Sequence, residues 1–286
     1  PPGVPTFHAA QDINLIVRDY TKWDDMPTSL QAFAQSMVRA YKIAMTPPYG
    51  PVAISLDAGL QQEPIGAHGS GLYIPKLTMP SPPAGEMGAV KDAAKMLLAA
   101  ENPVIVADRA ARTANGVRLL VELAELLQAN VVDQGGRMNF PNTHYLARPA
   151  AATAQADVIL GLELSDFWAV VNSYTDNGEH GIGFNSPKAK AGVKLISINS
   201  VELLTKANYQ DFQRFQSVDI SMPADAEATL PALIEAIKSQ MTSERRAQND
   251  QRADKAKKAF ADIRARETAA AAVAWDASPI STARLC

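Results

Sequence analysis

The sequence predicts an α/β protein, namely a doubly wound parallel sheet of Rossmann-like type preceded by part of another α/β domain. The first observation is a series of short apolar runs, at residues 103–108, 130–134, 157–162, 193–199 and 217–222. The second is that helical segments alternate with these runs, which favours a parallel sheet covered on both faces. We therefore predict one compact central domain.

The helices and loops of this domain follow the same alternation. Helices are predicted over residues 85–100, 114–128 and 225–241, and a short helix is predicted at Ala150–Gln155. The segment 165–190 is rich in Gly and Asn, so we predict that it is a long loop.

The beginning of the chain contains less than a full domain. Apolar residues at helical spacing follow Thr28, a good N-cap, and they are Leu30, Phe33, Met37, Val38, Tyr41 and Met45. Pro47, Pro48 and Gly50 form a turn, and the apolar run Val52–Leu56 then predicts a short strand. A loop, a helix and a strand are too little for an independent domain.

We divide the chain into four parts. Residues 1–65 are interpreted as the C-terminal remnant of a domain, and residues 66–84, rich in Gly, Pro and Ser, as a linker. Residues 85–242 form the central domain, and residues 243–286 form a charged helical connector and the start of a third domain. The charges at 243–268 indicate a solvated helix, and a nucleic-acid-binding arm is the alternative.

Both ends of the chain predict a fragment of a longer protein. The first residues, PPGVPTFHAA, contain no initiator methionine and no targeting pattern. The last residues are SPISTARLC, where Ser278 is a good N-cap and Pro279 fits the first helical position. A helix of about two turns has little stability alone, so we expect this helix to continue in the parent protein.

Composition excludes several classes of protein. The chain has 286 residues, of which 47% are hydrophobic and 20% are charged, so it can bury a sizeable core. The net charge of −3 gives no sign of a nucleic-acid or membrane partner, and no apolar run approaches transmembrane length. The only cysteine, Cys286, leaves no internal disulfide framework and predicts a cytoplasmic protein.

The turn after the first strand of the central domain, VADRAARTANG, is the first candidate site. Ligands of doubly wound sheets bind at the carboxyl ends of strands, where helix N-termini attract phosphate. A nucleotide is therefore expected near residues 108–115, with Arg109 or Arg112 as a clamp. The glycine-rich fingerprint is missing, however, and Asp108 would repel phosphate, so a purely structural turn is the alternative.

Three other features carry weaker signals. The loop DQGGRMNFPNTH contains Gly135, Gly136 and Arg137, which either approach a ligand or form a tight turn. The stretch RDYTKWD, residues 18–24, is either the edge of a site or a domain contact. The four histidines lack metal-ligand spacing, and His144 is interpreted as a capping or packing residue.

Several segments together carry a family resemblance, and the first of them are RDYTKWD, a helix and TPPYGPVAISL. They resemble the end of the pyrimidine-binding domain of thiamine-diphosphate-dependent enzymes, in particular the group of acetolactate synthase, benzoylformate decarboxylase and pyruvate oxidase. AAENPVIVADRAARTANGVRLLVELAELLQANVVD, then DVILGL and SVDISMPADAEATLPALIEAI, resemble its central domain. WDASPISTARLC looks like the start of its diphosphate-binding domain.

The resemblance implies a parent enzyme that uses thiamine diphosphate and Mg²⁺ and forms a homo-oligomer, a dimer or a tetramer, acting on a small 2-oxo acid. It implies no catalytic residue and no metal ligand in this chain, because the family's catalytic glutamate lies upstream of the matched part and no Gly-Asp-Gly is present. Gln11 lies where relatives place a glutamine near the active site, and Arg18 matches a basic position of flavin-binding relatives. Those relatives, which bind FAD or ADP, have glycine-rich turns where this chain has residues 108–111.

Three functional hypotheses follow. The chain is the central portion of a thiamine-diphosphate-dependent decarboxylase or carboligase and is inactive by itself. Alternatively, it is a standalone nucleotide-binding α/β module, or a non-catalytic interaction subunit that uses the charged helix of residues 243–268. Only the first hypothesis explains both ends of the chain.

Overall fold

The computed structural model describes residues 12–62, 64–66, 71–134, 138–175, 184–203 and 214–285. The first part of the chain forms a βαβ unit whose two strands pair in parallel. Its elements are β1 (Trp23–Asp25), α1 (Leu30–Ala44) and β2 (Val52–Ile54), preceded by 3₁₀ helices at Ile13–Ile16 and Arg18–Tyr20 and followed by α2 (Ala58–Gln62). The predicted helix and strand are confirmed, and β1 is an additional strand in a segment predicted as a loop.

The ends of α1 are both capped by side chains. The Oγ of Ser29 accepts the N–H of Ala32 at 3.1 Å, so Ser29 is the N-cap and the prediction of Thr28 is wrong. At the other end, Nζ of Lys22 donates to the carbonyls of Ile43 and Thr46 at 2.9 and 2.6 Å. A cation there satisfies carbonyl groups near the helix C-terminus, which lack intrahelical partners.

The segment after the βαβ unit is held against α1. Residues 72–84 form neither helix nor strand. The side-chain amide of Gln31 donates to the carbonyl of Tyr73 at 2.7 Å and accepts its N–H at 2.8 Å. This paired contact orders the middle of the predicted linker along the helix.

The central domain contains a six-stranded sheet in which all neighbouring strands are parallel, in the order β10-β9-β6-β3-β4-β5. The elements in chain order are α3 (Met87–Ala99), β3 (Pro103–Ala107), α4 (Ala114–Leu127), β4 (Asn130–Asp133), β5 (Ala147–Arg148), a 3₁₀ helix (Ala150–Gln155), β6 (Val158–Leu162), α5 (Phe167–Val171), β7 (Asn172–Thr175), β8 (Phe184–Pro187), β9 (Lys194–Ile198), a 3₁₀ helix (Ser200–Leu203), β10 (Ile220–Met222) and α6 (Ala226–Gln240). This is the strand order of a Rossmann fold. The predicted fold class is therefore confirmed.

Both faces of the sheet are covered. Strand β3 shows this directly, because Ile105 packs with the apolar faces of α3, α4 and α6, whereas Val104 and Val106 pack on the opposite side. Neighbouring side chains of a strand point to opposite faces, so a strand buried on both sides must be apolar throughout. All five residues of β3 and of β6 are buried.

The segment 165–190 is more structured than predicted. Instead of one long loop, its described residues form helix α5 and an antiparallel hairpin of β7 and β8. The side chain of Asp166 caps α5 by accepting the N–H of Ala169 at 3.0 Å. The aromatic side chains of Phe167 and Trp168 are buried, so tertiary packing forms a helix that is too short to show a period in the sequence.

The C-terminal part consists of α7 (Ser243–Ala272) and α8 (Thr282–Leu285). Residues 261–270 of α7 are all exposed, as expected for a solvated helix. The prediction that Ser278 begins the last helix is wrong, since the helix starts at Thr282 and Oγ of Ser281 accepts the N–H of Arg284 at 3.4 Å. In the part of the chain that the structure describes, no helix is long and apolar enough to cross a membrane.

Candidate functional site

The strand order places a switch point between β3 and β6. The chain moves from β3 to β4 on one side and from β6 to β9 on the other, and ligands of open α/β sheets bind in the crevice at the carboxyl ends of two such strands. A cleft of about 310 Å³ lies there, and we call it the switch-point cleft. It is lined by residues of both parts of the chain: Tyr20, Thr21, Lys22, Pro48, Tyr49, Gly50 and Pro51 from the βαβ unit, and Arg109, Glu163, Ser165 and Val201 from the central domain.

Glu163, the residue that follows β6, is the most buried charged group of this cleft, with 1% of its surface exposed. Its Oε1 accepts the N–H of Ala226 at 2.9 Å, at the start of α6. Its Oε2 accepts the N–H and the hydroxyl of Ser200 at 3.0 and 2.7 Å. Burial raises the pKa of the Glu163 carboxyl, although these hydrogen bonds and the charge of Arg112 oppose the rise.

Arg112 connects Glu163 to two other elements. Its Nη1 donates to Oδ2 of Asp225 at 2.9 Å, and its Nη2 lies 3.7 Å from Oε2 of Glu163. Asp225 also caps α6, because its Oδ1 accepts the N–H of Ala228 at 2.8 Å. The guanidinium lies 4.5 Å from the ring centroid of Tyr49, which is a cation–π contact. Because Tyr49 belongs to the turn before β2, Arg112 bridges the βαβ unit and the central domain.

Asp108 fixes the carboxyl ends of β3 and β6 to each other. It is 4% exposed, and its Oδ2 accepts the N–H of Ser165 at 3.0 Å. The N–H of Asp108 itself donates to the carbonyl of Leu162 at 3.1 Å, which continues the strand pairing. Asp108, which was expected to repel phosphate, therefore has a structural role at the carboxyl ends of β3 and β6.

The four residues predicted to bind a cofactor are placed differently. Arg109 and Arg112 both lie at the switch point; Arg109 is exposed, and its side chain makes no hydrogen bond or ion pair with the described residues. Arg18 lies outside the cleft and forms ion pairs of 3.0 Å with Asp24 and with Asp12. These hydrogen bonds to Asp24 and then Asp12 raise its pKa. Gln11 lies outside the described residues, and all four cofactor-binding roles stay predictions.

The donors at the starts of α4 and α6 are already used by side chains of the chain itself. At the start of α4, Oγ1 of Thr113 accepts the N–H of Gly116 at 3.1 Å and its hydroxyl donates to Glu227. A Cβ at Gly116 would collide with the Glu227 carboxylate, so an acidic group lies directly over this helix N-terminus. The start of α6 is occupied by Glu163 in the same way. The positions at which a phosphate would be bound therefore face carboxylates of the chain itself.

The stretch of residues 18–24 contributes to the cleft as well as to packing. Tyr20, Thr21 and Lys22 line the cleft, while the Lys22 ammonium is used at the end of α1, where burial lowers its pKa. The structure places this stretch beside the cleft and in the packing of the βαβ unit, and its role as the edge of a site stays a prediction.

Asn139 is a buried polar residue that matches no motif in the sequence. It is 0% exposed. Its side-chain amide donates to Oδ1 of Asp133 at 2.7 Å and accepts the N–H of Ala111 at 3.2 Å. It thereby joins the loop after β4 to the turn after β3. The neighbouring candidates Gly135, Gly136 and Arg137 lie outside the described residues.

His144 is a packing and capping residue, as predicted. Its Nδ1 accepts the N–H of Leu146 at 3.2 Å, and its Nε2 lies 3.3 Å from Oε1 of Glu125. The ring stacks on Tyr145 with centroids 4.6 Å apart. Among the residues that the structure describes, no group of His, Cys, Asp and Glu side chains forms a candidate metal site.

Comparison with known proteins gives a consistent picture. The sequence-family model described as "Thiamine pyrophosphate enzyme, central domain" matches residues 90–233. Benzoylformate decarboxylase from Polynucleobacter necessarius has a TM-score of 0.58 and 19% identity, over 76% of this chain and 38% of that one. A thiamine diphosphate-dependent 4-hydroxybenzoylformate decarboxylase from Rhodococcus jostii RHA1 has a TM-score of 0.58 and 20% identity, over 81% of this chain and 42% of that one. These structures share the fold, and this chain spans about two fifths of their length.

Proposed function

The chain belongs to the thiamine pyrophosphate enzyme family, and from this premise we propose that it is the central portion of an enzyme that decarboxylates 2-oxo acids with thiamine diphosphate. The observation that carries the proposal is the family match over residues 90–233, which coincides with the Rossmann-ordered sheet. Decarboxylation is favoured over acetolactate synthase-like carboligation because both solved relatives described above are decarboxylases by name.

Within that enzyme, the role proposed for this chain is to position other parts of the protein. Thiamine diphosphate supplies the stabilised carbanion on which the chemistry depends. Among the described residues no group of His, Cys, Asp and Glu side chains forms a candidate metal site, and the sequence contains no Gly-Asp-Gly. We therefore propose that the chain alone is inactive and that the parent enzyme supplies the diphosphate and Mg²⁺ ligands.

The remaining features of the parent enzyme are part of the same proposal. It is a homo-oligomer, a dimer or a tetramer, and it is cytoplasmic, which the cysteine usage supports. FAD and ADP are not expected at the switch-point cleft, because carboxylates occupy the starts of α4 and α6.

The test compares this chain with the parent enzyme. Isothermal titration of the chain with thiamine diphosphate and Mg²⁺ should give no binding heat, and assays with benzoylformate and pyruvate should give no turnover. The parent enzyme should decarboxylate at least one of the two substrates only when the cofactor is present. Turnover by the chain alone would show that the proposed inactivity is wrong, and a parent enzyme without cofactor-dependent turnover would show that the proposed reaction is wrong.

The same samples address the nucleotide-binding alternative. Equilibrium dialysis of the chain against ADP and FAD should leave equal concentrations on both sides of the membrane. Retention of either nucleotide would favour a standalone nucleotide-binding module instead.

A further inference from the structure

The donors around Glu163 form an anion-binding hole. Four groups converge on this one carboxylate: the N–H of Ala226 at 2.9 Å, the N–H and hydroxyl of Ser200 at 3.0 and 2.7 Å, and Nη2 of Arg112 at 3.7 Å. The first belongs to the N-terminus of the 15-residue helix α6. A helix N-terminus, a further backbone N–H, a hydroxyl and a guanidinium are the donors with which proteins bind phosphate.

The hole lies where a Rossmann sheet binds a nucleotide. Glu163 directly follows β6, whose carboxyl end forms one side of the switch point, and Arg112 lies in the turn after β3 on the other side. We propose that the Glu163 carboxylate is an intramolecular substitute for a bound phosphate. In this position the carboxylate closes the switch point to nucleotides. Through Arg112 it also locks the turn of residues 47–50, which we call the Tyr49 turn, onto the central domain.

The backbone at Glu163 supports this assignment. Its φ is 51°, in the left-handed region that residues with a Cβ rarely adopt. Such a conformation persists only where the surrounding contacts determine it. Here the N–H of Glu163 donates to the carbonyl of Ile198 at 2.9 Å, while the carboxylate is held by three hydrogen bonds and the ion pair with Arg112. The contacts of the carboxylate therefore hold this residue in its uncommon conformation.

The lock follows from what lies on the other side of Arg112. The guanidinium lies over the ring of Tyr49, while its Nη1 faces Asp225 and its Nη2 faces Glu163. The two carboxylates hold the guanidinium in place, with its central carbon 4.5 Å from the centroid of the Tyr49 ring. Loss of the Glu163 charge is expected to loosen the Tyr49 turn, and an anion bound in the hole is expected to tighten it again.

The test is a rescue experiment on the complete chain with inorganic phosphate as the probe. Glu163→Ala empties the hole and removes the acceptor of the Ala226 N–H and of the Ser200 N–H and hydroxyl. If phosphate binds there with a Kd of about 1 mM, 100 mM phosphate shifts the folding equilibrium of the variant about 100-fold. Phosphate also stabilises proteins by exclusion from their surface, so the measured quantity is the gain of Glu163→Ala beyond that of the unmodified chain in the same buffer.

Two further variants separate a bound phosphate from general stabilisation. Glu163→Ala combined with Arg112→Ala lacks the cation, so its gain from phosphate should fall at least tenfold. Arg118→Ala, which removes an exposed arginine of α4, combined with Glu163→Ala should retain the full gain. Hydrogen exchange at residues 49–50 should be faster in Glu163→Ala than in the unmodified chain and should slow again when phosphate is added.

The outcomes decide the proposal in either direction. An equal phosphate gain in the unmodified chain and in Glu163→Ala would overturn it, as would a gain that survives the loss of Arg112. If Glu163→Ala does not fold in chloride buffer, refolding is compared in 100 mM phosphate and in chloride of equal ionic strength. Recovery in phosphate alone supports the proposal, and failure in both buffers overturns it.

Discussion

Replacement of Arg112 by alanine should be among the most destabilising single changes at the switch-point cleft. The substitution removes the ion pairs with Asp225 and Glu163, at 2.9 and 3.7 Å, and the contact with the Tyr49 ring. The two carboxylate side chains are only 5% and 1% exposed. Both would remain buried in the variant, without a cation to balance their charge.

The magnitude follows from these contacts. Breaking a buried ion pair by removing one partner costs about 3–5 kcal/mol, because the other charge stays buried. The Arg112 side chain is 19% exposed, and water can partly replace it, so the lower end of that range applies. A cation–π contact adds about 0.5–1 kcal/mol. The lost ion pair and the lost cation–π contact together predict a loss of roughly 3–4 kcal/mol in the free energy of unfolding at pH 7.

The loss should depend on pH in a defined direction. Burial raises the pKa of the Glu163 carboxyl in the folded chain, so protonation of Glu163 favours the folded state. This contribution to stability is complete below the ordinary carboxyl pKa of about 4.3 and declines as the pH rises through the raised pKa. Removing the Arg112 charge raises this pKa further. The variant should therefore lose less stability at pH 5 than at pH 7.5. Asp219, whose pKa is lowered by Lys194, contributes equally to the pH dependence of stability in the variant and in the unmodified chain.

Urea unfolding followed by circular dichroism at the two pH values measures these differences. Arg118→Ala is the matched control, because Arg118 is on α4, is 61% exposed, and contacts Glu122 and Asn115 only at the surface of the described chain, through an ion pair and a hydrogen bond. Exposed pairs at this spacing contribute about 0.3–0.5 kcal/mol. Equal losses for Arg112→Ala and Arg118→Ala would refute the reasoning, because they would mean that solvent screens the buried network. A loss that increases at low pH would refute the assignment to Glu163.

Two further predictions concern the scaffold. Gly161→Ala, in β6, would bring a Cβ to 2.5 Å from the ring of Phe167, so urea unfolding should show a loss of about 1–3 kcal/mol in the free energy of unfolding. The control Gly71→Ala, whose Cβ meets no atom within 4 Å, should be near neutral. Equal losses for the two variants would contradict the packing argument. Asn249→Ala removes the 2.9 Å hydrogen bond from α7 to the carbonyl of Leu126 near the end of α4, so hydrogen exchange in the first half of α7 should speed up about 5- to 150-fold, the equivalent of the usual 1–3 kcal/mol. The exposed Gln251→Ala should leave it unchanged, and a large effect there would contradict the assigned anchor.

The parts of the fold that the sequence predicted are those in which local pattern and tertiary burial agree. Strands β3 and β6 are apolar at every position because both faces of the sheet are covered, and that gives an unambiguous run. Helix α5 escaped prediction because it has only five residues, and the β7–β8 hairpin escaped because neither of its four-residue strands contains a continuous apolar run like those of β3 and β6. At that length neither the helical nor the strand period can be read, and the packing of distant residues determines the structure.

The site was predictable only in part for a related reason. Arg109 and Arg112 were found because they follow the first strand, where a Rossmann site is expected. Glu163 was not found, since an acidic residue after a strand matches no motif and its donors lie 37 and 63 residues further along the chain. The sequence signal that could have found Glu163 is topological. The ends of the first and fourth strands of a Rossmann sheet meet at the switch point, so acidic residues after both strands predict a site with low affinity for phosphate.

The shape of a Rossmann sheet does not depend on a bound nucleotide. Strand order and helix placement follow from the covered sheet and leave helix N-termini at one edge whatever residues occupy them. Those N-termini carry N–H groups that need acceptors, and in this chain Thr113, Asp225 and Glu163 provide them. A nucleotide would have to displace acceptors that are already part of the folded chain. The Arg112–Tyr49 contact at this edge joins the βαβ unit to the central domain.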